Sequence, residues 1–531
     1  MPATTADSAA ALARTIEEFL TDHPQAAVLE DGRVLFDLRL AQYSISAEHG
    51  RCLLHLWSAE RNLVRAVSAV EPRRNTLRLE TYRFGQTRPQ TLTLIPDPDF
   101  RTPNARDIAR KRYLRALAQA LGRQYPGWTP EGFRSAADME HSFGPGYARG
   151  LLTRGQSAFA VIGAGPEELP SVIEGALTLG ILWLDYCRAH RVGRRVLQGL
   201  KVIVPAGCAA LARSRMVLLN PRLAQWELCE LDPSSGEVSP CAITDIGNLD
   251  VQLSHAFDPQ AALERSAAAI EQLLSLLPSG LRDATEIRPH SATEIGFSLH
   301  GLEYARVRHG LVPGSFARQD EITFGAGPSE TILDDATHDL FLDLTDRLFR
   351  SRHPAAAAVD PLFRLQPERW LESILRRDLS VLDSALGEAP VYSQVPAFSA
   401  GGRTLLDLLT LTRDGRLAVI EVKADDDLHF PLQALDYWGR VRQLHRTGEF
   451  QRLGYFPGRE LSGEDPMLYL VAPALHIHPA NETVLRHFSP EVPWQLIGLN
   501  ERWREECRVV LRKRNAAADR DIFCAITSAE N

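Results

Sequence analysis

The chain has 531 residues, of which 44% are hydrophobic and 24% are charged, the composition of a soluble globular protein. At about 150 residues per domain, this length predicts three or four domains. The 59 Lys and Arg residues against 67 Asp and Glu residues leave a net charge of −8. That balance excludes a protein held to nucleic acid by bulk positive charge, although it is compatible with a local basic groove.

Targeting signals and disulfides are not expected. The N-terminus lacks the basic start and apolar core of a secretory signal, and the most apolar stretch, residues 175–184, is too short for a membrane span and is followed by Asp185. The seven cysteines include no CxxC pair, which favours reduced thiols over a disulfide framework or a structural zinc site. We therefore predict a cytoplasmic protein without a membrane partner.

The first hundred residues are predicted to form a β-rich N-terminal domain. Residues 1–22 have the spacing of an amphipathic helix, and short apolar runs follow between Val34 and Ile95. Turn-forming pairs such as Asp31-Gly32 separate these runs, as expected of consecutive strands. The stretch PDPDFRTP (96–103) then ends this domain as a loop.

A basic helix, RDIARKRYLRALAQAL, opens the next region. Its cations suit a phosphate-binding face, although a solvated helix surface is the plainer interpretation. They are Arg106, Arg110, Lys111, Arg112 and Arg115. Strand-like runs (SAFAVIGAG, LKVIVPAG, QWELCEL) then alternate with helical stretches at 167–190 and 208–219. This alternation predicts an α/β layer fold for residues 101–250.

The rest of the chain divides into an accessory segment, a second α/β domain and a tail. Residues 251–353 include a helix (AALERSAAAIEQLLSLL), a strand-like run (GLEYARV) and a helix ending at LFRSRHP, and we assign them no chemistry. The segment PAAAAVDP (354–361) reads as a linker. A second α/β domain is predicted over 362–514, and the tail, 515–531, is expected to be disordered.

The most informative stretch is 404–438, TLLDLLTLTRDGRLAVIEVKADDDLHFPLQALDYW. Asp-Gly between two apolar runs predicts a hairpin. A two-residue turn pairs Asp407 with Val422, whereas a bulged turn places it opposite Glu421, so the two carboxylates lie close together in either register. Because side chains alternate along a strand, Glu421 and Lys423 share one face. Both faces also carry apolar residues, so we expect this strand to be buried.

Charged groups at the end of a buried strand indicate a bound cation. Two carboxylates and an ammonium group are costly to bury unless they are paired or bind an ion. Mg²⁺ takes carboxylate oxygens, a backbone carbonyl and water as ligands. Asp407 and Glu421 therefore predict a Mg²⁺ site, with Mn²⁺ as an alternative ion.

The pattern resembles the PD-(D/E)XK phosphodiesterase superfamily. The motif D-x13-E-V-K on a hairpin is followed by a helix with Gln433 and an aromatic pair, and the preceding helix, PERWLESILRRDLSVLD, adds Glu372. The full pattern is E-x34-D-x13-E-x-K-x9-Q, with Leu406 where the family name has proline. The resemblance covers about residues 362–500 and implies a restriction-endonuclease-like or tRNA-endonuclease-like core with a central mixed sheet. Glu372 would support the metal or a second ion.

The resemblance also implies a role for each motif residue. Asp407, Glu421 and the Val422 carbonyl would hold the metal. Lys423 would orient or deprotonate the attacking water and offset charge in the transition state. Gln433 would contact the backbone phosphate or position Lys423. The implied activity is Mg²⁺-dependent hydrolysis of nucleic-acid phosphodiester bonds, with DNA favoured over RNA as the partner.

Three other interpretations of the same residues remain open. The first is a solvent-exposed Glu–Lys pair on a strand edge. The second is a nuclease-like fold that has lost its activity, against which the intact residue set argues. The third, from a different functional class, is a non-catalytic nucleic-acid-binding or scaffold protein built from nuclease-like folds.

The middle of the chain repeats the layout of the motif region. GLLTRGQSAFAVIGAG (150–165) matches DLLTLTRDGRLAVIEVK (407–423) with one gap, and residues 202–231 resemble 468–499. In this alignment the three motif residues Asp407, Glu421 and Lys423 fall opposite three glycines, Gly150, Gly163 and Gly165. We therefore predict an α/β multidomain protein in which residues 101–250 form a degenerate, inactive copy of the nuclease-like domain.

Several weaker signals do not change this interpretation. GAGPEE (163–168) lacks the spacing of nucleotide-binding glycine motifs and recurs as GAGPSE at 325–330, which indicates a favoured strand-to-helix turn. His476 and His478 have metal-ligand spacing but no evident third ligand.

Two further groups have both a nucleic-acid-binding and a structural interpretation. Tryptophans could stack on bases, although such positions are usually core; they are Trp370, Trp438, Trp494 and Trp503. Basic residues near the C-terminus could track phosphates or protect an edge strand from pairing; they are Arg504, Arg508, Arg512, Lys513 and Arg514.

Overall fold

The structure is a computed structural model that divides into two compact units, Met1–Arg112 and Tyr113–Asn531. It describes residues 6–24, 26–30, 33–38, 41–48, 51–57, 62–73, 76–82, 89–96, 103–138, 141–190, 195–232, 235–244, 252–311, 318–325, 330–356, 360–387, 389–399 and 402–515. The predicted tail beyond Asn515, most of the GAGPSE turn and part of the PAAAAVDP linker lie outside these residues.

The first unit is a seven-stranded antiparallel sheet with one helix, α1 (Ala6–Asp22), packed on it. The strands are β1 (Ala27–Glu30), β2 (Arg33–Asp37), β3 (Gln42–Glu48), β4 (Arg51–Trp57), β5 (Asn62–Arg73), β6 (Thr76–Tyr82) and β7 (Gln90–Ile95), in the order β2-β1-β7-β6-β5-β4-β3. Alternate residues of β4 are buried, among them Leu54 and Leu56, which share a core with Ile16 and Leu20 of α1. The predicted helix and short strands are therefore present in this unit.

The second sheet has six strands in the order β13-β12-β11-β10-β9-β8. Its elements are α2 (Pro103–Gln124), β8 (Thr129–Arg134), β9 (Tyr147–Arg154), β10 (Ser157–Ala164), α3 (Pro170–Ala189), β11 (Val196–Pro205), α4 (Ala209–Met216), β12 (Gln225–Asp232) and β13 (Glu237–Cys241). Strands β10, β11 and β12 are parallel, whereas the outer strands join antiparallel. The alternation that predicted an α/β layer thus corresponds to a mixed sheet with helices.

A five-stranded antiparallel sheet follows the second sheet in sequence. We call it the antiparallel sheet. It comprises β15 (Thr285–Ser291), β16 (Glu294–Leu299), β17 (Leu302–Leu311), β18 (Arg318–Phe324) and β19 (Thr331–Ile332), with α5 (Pro259–Arg265), α6 (Ala267–Leu276), α7 (Ser279–Ala284) and α8 (His338–Ser351). The single helix predicted near 261–277 is interrupted at Ser266, whose hydroxyl donates to Asp320 of β18 at 3.1 Å. That contact comes from residues far along the chain, so helical periodicity alone does not reveal the break.

The third sheet has seven strands in the order β14-β20-β21-β22-β23-β24-β25. Its elements are β14 (Gln252–Leu253), α9 (Pro361–Arg364), α10 (Pro367–Arg377), β20 (Tyr392–Ser399), β21 (Gly402–Leu411), β22 (Leu417–Val422), α11 (Phe430–Arg446), α12 (Glu449–Arg452), β23 (Met467–Pro473), α13 (Asn481–Arg486), β24 (Trp494–Leu499) and β25 (Val509–Arg514). Strands β22, β23 and β24 are parallel, and the outer strands join antiparallel.

The second and third sheets share one topology. Strands β9 to β13 have the same order and the same parallel and antiparallel pairings as β21 to β25. Helix α3 lies between β10 and β11, and α11 lies in the matching position between β22 and β23. Likewise, α4 lies between β11 and β12, and α13 lies between β23 and β24. A helix precedes each sheet, α2 before β8 and α10 before β20. The matched segments of the sequence therefore occupy matched positions in two layers of the same design.

These two layers pack against each other within the second unit. Helices α3 and α4 contact α13 and α11, and Ser214 donates to Asp436 at 3.0 Å. One continuous hydrophobic core includes residues of both layers. It contains Ile162, Leu177 and Trp183 from one side and Val419, Leu432 and Leu470 from the other. The burial of α3 and α11 on more than one face follows from this shared core.

Arg352 connects the antiparallel sheet to the start of α10. Its guanidinium donates to the carbonyls of Leu299, His300 and Leu362 at 3.0, 2.8 and 2.8 Å, and lies 4.8 Å from the ring centroid of Trp370. A buried guanidinium is tolerated because its donors are satisfied. These contacts link the antiparallel sheet to Leu362 of α9 and to Trp370 of α10, the helix that presents the carboxylates discussed below.

Among the described residues, no helix is long and apolar enough to cross a membrane.

Candidate functional site

The motif hairpin is formed by β21 and β22. Its ladder runs from Leu408 opposite Ile420 to Leu411 opposite Leu417, and Thr412 N donates to Arg416 O at 2.8 Å to close the turn. Gly415 lies in the turn at φ +82°, where an added Cβ would collide with a carbonyl oxygen. Extending this register by one residue puts Asp407 opposite Glu421. The turn is therefore longer than the two-residue turn that would have paired Asp407 with Val422.

Asp407 and Glu421 form a close pair of carboxylates. The backbone N–H of Val422 donates to Asp407 Oδ2 at 3.0 Å. Glu421 is only 1% exposed, and its Oε2 accepts no hydrogen bond from a donor among the described residues. Burial, followed by the charge of Asp407, raises the pKa of Glu421 well above its ordinary value of 4.5. A hydrogen bond between the Glu421 and Asp407 carboxyl groups adds to the rise of the Glu421 pKa. Without a cation, this pair therefore tends to retain a proton.

Lys423 lies among three carboxylates. Its Nζ is 4.0 Å from Glu421 Oε1, 3.7 Å from Glu368 Oε1 and 3.8 Å from Asp427 Oδ2. Burial lowers the pKa of Lys423, but the charges of Glu421 and Glu368 outweigh that effect, so the pKa is raised. The Lys423 backbone N–H also donates to Val471 O at 3.0 Å, which continues the parallel ladder. The lysine is therefore a fixed cation at the end of β22.

Glu372 on α10 borders the same site. It is 4% exposed, and Arg369 Nη1 donates to its Oε2 at 2.9 Å. Arg288 Nη1, from strand β15, lies 3.9 Å from the Glu372 Oε1. Burial raises the pKa of Glu372, Arg369 opposes that shift, and Asp407 adds to it. Glu372 is thus within electrostatic reach of Asp407, as its predicted role requires.

Gln433 makes a different contact from the one predicted with Lys423. Its Nε2 donates to the Tyr437 hydroxyl at 3.0 Å, one turn further along α11. Burial and then the charge of Glu421 raise the pKa of Tyr437. Gln433 therefore contacts Tyr437, which lies within electrostatic range of Glu421, and this bond does not position Lys423 directly.

Three neighbours of the site were not singled out from the sequence. Glu368 lies one turn before Glu372, a four-residue spacing that places both on one side of α10 and could have been read from the sequence. Asp427 belongs to the acidic run after Lys423 but carries no motif signature. Arg288 comes from the antiparallel sheet more than a hundred residues away in sequence, and no local pattern indicates it.

The donor set fits a hard cation. Among the described residues, no group of three or more His, Cys, Asp or Glu side chains is arranged to hold a metal ion. The predicted ligand set is smaller, because it combines two carboxylates with the Val422 carbonyl and water. The Asp407 and Glu421 carboxyl groups, once ionised, would provide the anionic oxygens that Mg²⁺ prefers. Binding of Mg²⁺ would displace the proton that the Asp407–Glu421 pair otherwise retains.

The matching place in the second sheet is occupied by an aromatic side chain. An added Cβ on Gly163 would lie 2.6 Å from the Tyr113 hydroxyl and 3.1 Å from Leu117, and one on Gly165 would lie 3.3 Å from the Tyr113 ring. The Tyr113 hydroxyl is itself buried and has no hydrogen-bond partner in the described part of the chain. Tyr113 and Leu117 have the same four-residue spacing on α2 as Glu368 and Glu372 on α10, so apolar groups replace charged ones here.

The pairing register corrects one detail of the sequence alignment. In the second sheet Ala148 is opposite Gly163, and Gly150 is opposite Val161. Asp407 therefore corresponds to Ala148 in the ladder and not to Gly150. The reason is the turn: β9 and β10 pair directly from Arg154 to Ser157, a tighter hairpin than the one between β21 and β22. Either residue leaves the position without a carboxylate.

The tryptophans and histidines do not form a second site. Trp370 and Trp438 are fully buried and Trp503 is nearly so, which makes them core residues. His476 lies 3.7 Å from Glu501, whereas His478 lies 3.4 Å from the Ser142 hydroxyl. The two histidines therefore contact different partners.

Three of the five C-terminal basic residues, Arg512, Lys513 and Arg514, lie on the edge strand β25, whereas Arg504 and Arg508 precede it. Exposure alternates along β25, which pairs only with β24 among the described strands. Arg512 donates to Gln495 at 2.7 Å, and Lys513 forms an ion pair with Glu482. These contacts favour the interpretation that the charges protect a sheet edge.

No family model and no curated protein matches this sequence. The functional assignment therefore depends on the geometry of the site.

Proposed function

We propose that this protein is a metal-dependent nuclease that hydrolyses nucleic-acid phosphodiester bonds, with DNA favoured over RNA. The observation that carries the proposal is the buried Asp407–Glu421 carboxylate pair beside a lysine. Glu421 Oε2 accepts no hydrogen bond from a donor among the described residues, and the other oxygen, Oε1, lies 4.0 Å from Lys423 Nζ. A buried carboxylate pair costs stability, and such perturbed groups concentrate at functional sites. Two carboxylates that can hold a cation, with a lysine beside them, are suited to hydrolysing a phosphodiester through a metal-bound water.

The roles of the residues follow from their positions. Asp407, Glu421 and the Val422 carbonyl would hold Mg²⁺, or Mn²⁺ in its place. The ion, when bound, lowers the pKa of a bound water and stabilises negative charge on the phosphate. Lys423, kept charged by the carboxylates around it, orients the water and offsets charge in the transition state. Glu372 shapes the charge at the border of the site.

The topology supports the same proposal. A helix, an antiparallel hairpin, a second helix and two parallel strands place the acidic residues where β21 and β22 meet α10, the arrangement expected of a restriction-endonuclease-like core. We also propose that residues 101–250 are a degenerate copy of this core, since their sheet has the same order and Tyr113 occupies the place of the site. The six described cysteines are free thiols, which supports the cytoplasm as the location.

The test is a cleavage assay on the full chain. Single-stranded DNA, duplex DNA and RNA are incubated with the protein in Mg²⁺, Mn²⁺ or EDTA, and products are resolved by gel electrophoresis. We expect products only with a divalent ion. Glu421→Gln and Lys423→Met should abolish cleavage, whereas the exposed controls Glu505→Gln and Lys513→Met should cleave like the wild type.

Two outcomes would contradict the proposal. Cleavage by Lys423→Met at the wild-type rate would show that the site is elsewhere. Salt-dependent binding of nucleic acid without any divalent-dependent product would favour a non-catalytic binding or scaffold protein instead.

A further inference from the structure

Strand β15 of the antiparallel sheet delivers an arginine to the border of the site. Arg288 Nη1 lies 3.9 Å from Glu372 Oε1, and its Nη2 donates to the Ser393 carbonyl at 3.3 Å. The side chain keeps 25% of its surface exposed. A residue of a separate sheet therefore stands beside the α10 carboxylate on which Asp407 acts electrostatically, with a quarter of its side chain exposed.

The surroundings of Arg288 carry more positive than negative charge. Glu286 pairs with Arg376 and with Arg377, the latter at 2.7 Å. Glu372 is paired with Arg369 at 2.9 Å. Glu303 also acts on Arg288. The three carboxylates Glu286, Glu303 and Glu372 thus face four guanidinium groups, those of Arg288, Arg369, Arg376 and Arg377. Burial, followed by the charge of Arg376, lowers the pKa of Arg288 to about 10.

Excess positive charge in a half-buried position is stabilised by an anion. A guanidinium group binds phosphate through two parallel N–H···O bonds, and such charge-assisted bonds are stronger than neutral ones. Arg288 and Asp407 both act on Glu372, so the positive charge borders the same carboxylate as the acidic pair. A polynucleotide with one phosphate at the acidic pair would therefore have a neighbouring phosphate available for Arg288.

We infer that Arg288 binds a backbone phosphate of the nucleic acid next to the one that is cleaved, so that the antiparallel sheet forms part of the substrate-binding surface. This inference rests on the proposed nuclease function. It gives strand β15 a role that its sequence does not indicate, namely to supply a phosphate contact from outside the third sheet.

The competing explanation is that Arg288 only attaches β15 to α10 and β20. If Arg288 binds a phosphate, removing its charge should weaken nucleic-acid binding and make that binding less dependent on salt. The reason is that each phosphate contact releases counterions from the nucleic acid. A structural attachment predicts loss of stability and no change in the salt dependence of binding. The two explanations are therefore separable in a binding experiment.

The experiment measures binding without cleavage. The parent protein is the full chain with Glu421→Gln, and the probe is a fluorescein-labelled DNA duplex followed by anisotropy over a series of KCl concentrations. We expect Arg288→Gln to weaken binding about tenfold and to reduce the slope of log Kd against log salt by about one phosphate contact. Arg288→Lys should keep the slope and lose part of the affinity. The control Arg350→Gln, on an exposed arginine of α8, should match the parent.

Each result decides the inference. A folded Arg288→Gln protein with the affinity and slope of the parent would overturn it. If Arg288→Gln fails to fold by circular dichroism, Arg288→Lys decides, and an unchanged affinity in that variant would overturn the inference. If the wild-type chain cleaves in a divalent-dependent manner but the Arg288 variants bind like the parent, only this inference is removed. A wild-type chain that neither binds nor cleaves any polynucleotide would remove the proposed function as well.

Discussion

The imidazole Nδ1 of His429 lies 3.0 Å from Thr178 Oγ1, which joins the start of α11 to the middle of α3. Asp427 Oδ1 accepts a hydrogen bond from the His429 backbone N–H at 2.7 Å, and Asp427 Oδ2 lies 3.8 Å from Lys423 Nζ. Packing here is close, because a Cβ added to Gly175 would lie 2.7 Å from the imidazole. The second sheet is therefore connected through three contacts to the lysine of the candidate site.

The first prediction concerns this connection. Thr178→Val keeps the shape of the side chain but removes the hydroxyl, so it should lower the free energy of unfolding by about 1 kcal/mol. In the cleavage assay it should lower kcat with little change in KM, because the contact reaches Lys423 and not the substrate. Urea denaturation and steady-state kinetics measure the two effects. Thr178→Ser should behave like the wild type, and equal kinetics for Thr178→Val and wild type would disprove the connection.

The second prediction concerns the metal. Mg²⁺ should raise the free energy of unfolding of the wild type by about 2.7 kcal/mol at one hundred times its Kd, because only the folded state presents the paired carboxylates. Glu421→Gln should lose this effect and be at least as stable as the wild type in EDTA, since it removes a carboxylate that burial penalises. Urea denaturation with Mg²⁺ or EDTA measures both. Glu505→Gln is the matched control and should retain the Mg²⁺ effect.

The third prediction concerns Tyr113 in the second sheet. Gly163→Ala should destabilise the protein by about 1–3 kcal/mol, because its Cβ would meet the Tyr113 hydroxyl at 2.6 Å. Tyr113→Phe removes that oxygen and leaves no buried hydroxyl without a partner, so it should be neutral or stabilising. In the double variant the cost of Gly163→Ala should shrink. A double-mutant cycle of urea denaturation measures this coupling, and additive effects would show that Tyr113 does not fill the position.

The fourth prediction concerns acid stability. Burial, followed by the charge of Arg377, lowers the pKa of His300 from its ordinary value of 6.5 to about 4, in a position stacked 4.8 Å from the Trp370 ring. The unfolded state therefore binds more protons than the native state below pH 6.5, and this group removes stability as the pH falls from 6.5 toward 4. At pH 5 the lowered pKa of His300 reduces the free energy of unfolding by about 2 kcal/mol.

Urea denaturation at pH 7.5 and pH 5 tests this. His300→Asn, which tolerates the local φ of +46°, should lose less stability between the two pH values than the wild type does. The exposed His255→Asn serves as the control. An equal loss in His300→Asn and wild type would contradict the shifted pKa.

Local pattern accounts for much of the candidate site. The spacing of Asp407, Glu421 and Lys423 on an Asp-Gly hairpin was sufficient to place the three side chains together, because strand alternation and antiparallel pairing are short-range rules. The register between the two proposed alternatives was decided by the turn, whose closing bond from Thr412 to Arg416 the sequence does not specify. The bond from Gln433 to Tyr437 likewise depends on side-chain packing in the helix.

The sequence alone is enough to recognise an acidic chain of 531 residues with two similar α/β segments, of which one carries the motif residues and one carries glycines. The surroundings of those residues are set by the tertiary fold. Three contacts join elements that are far apart in sequence: Tyr113 with Gly163, Thr178 with His429, and Arg288 with Glu372. Such contacts follow from how whole layers pack and pair, and periodicity within one element contains no information about them.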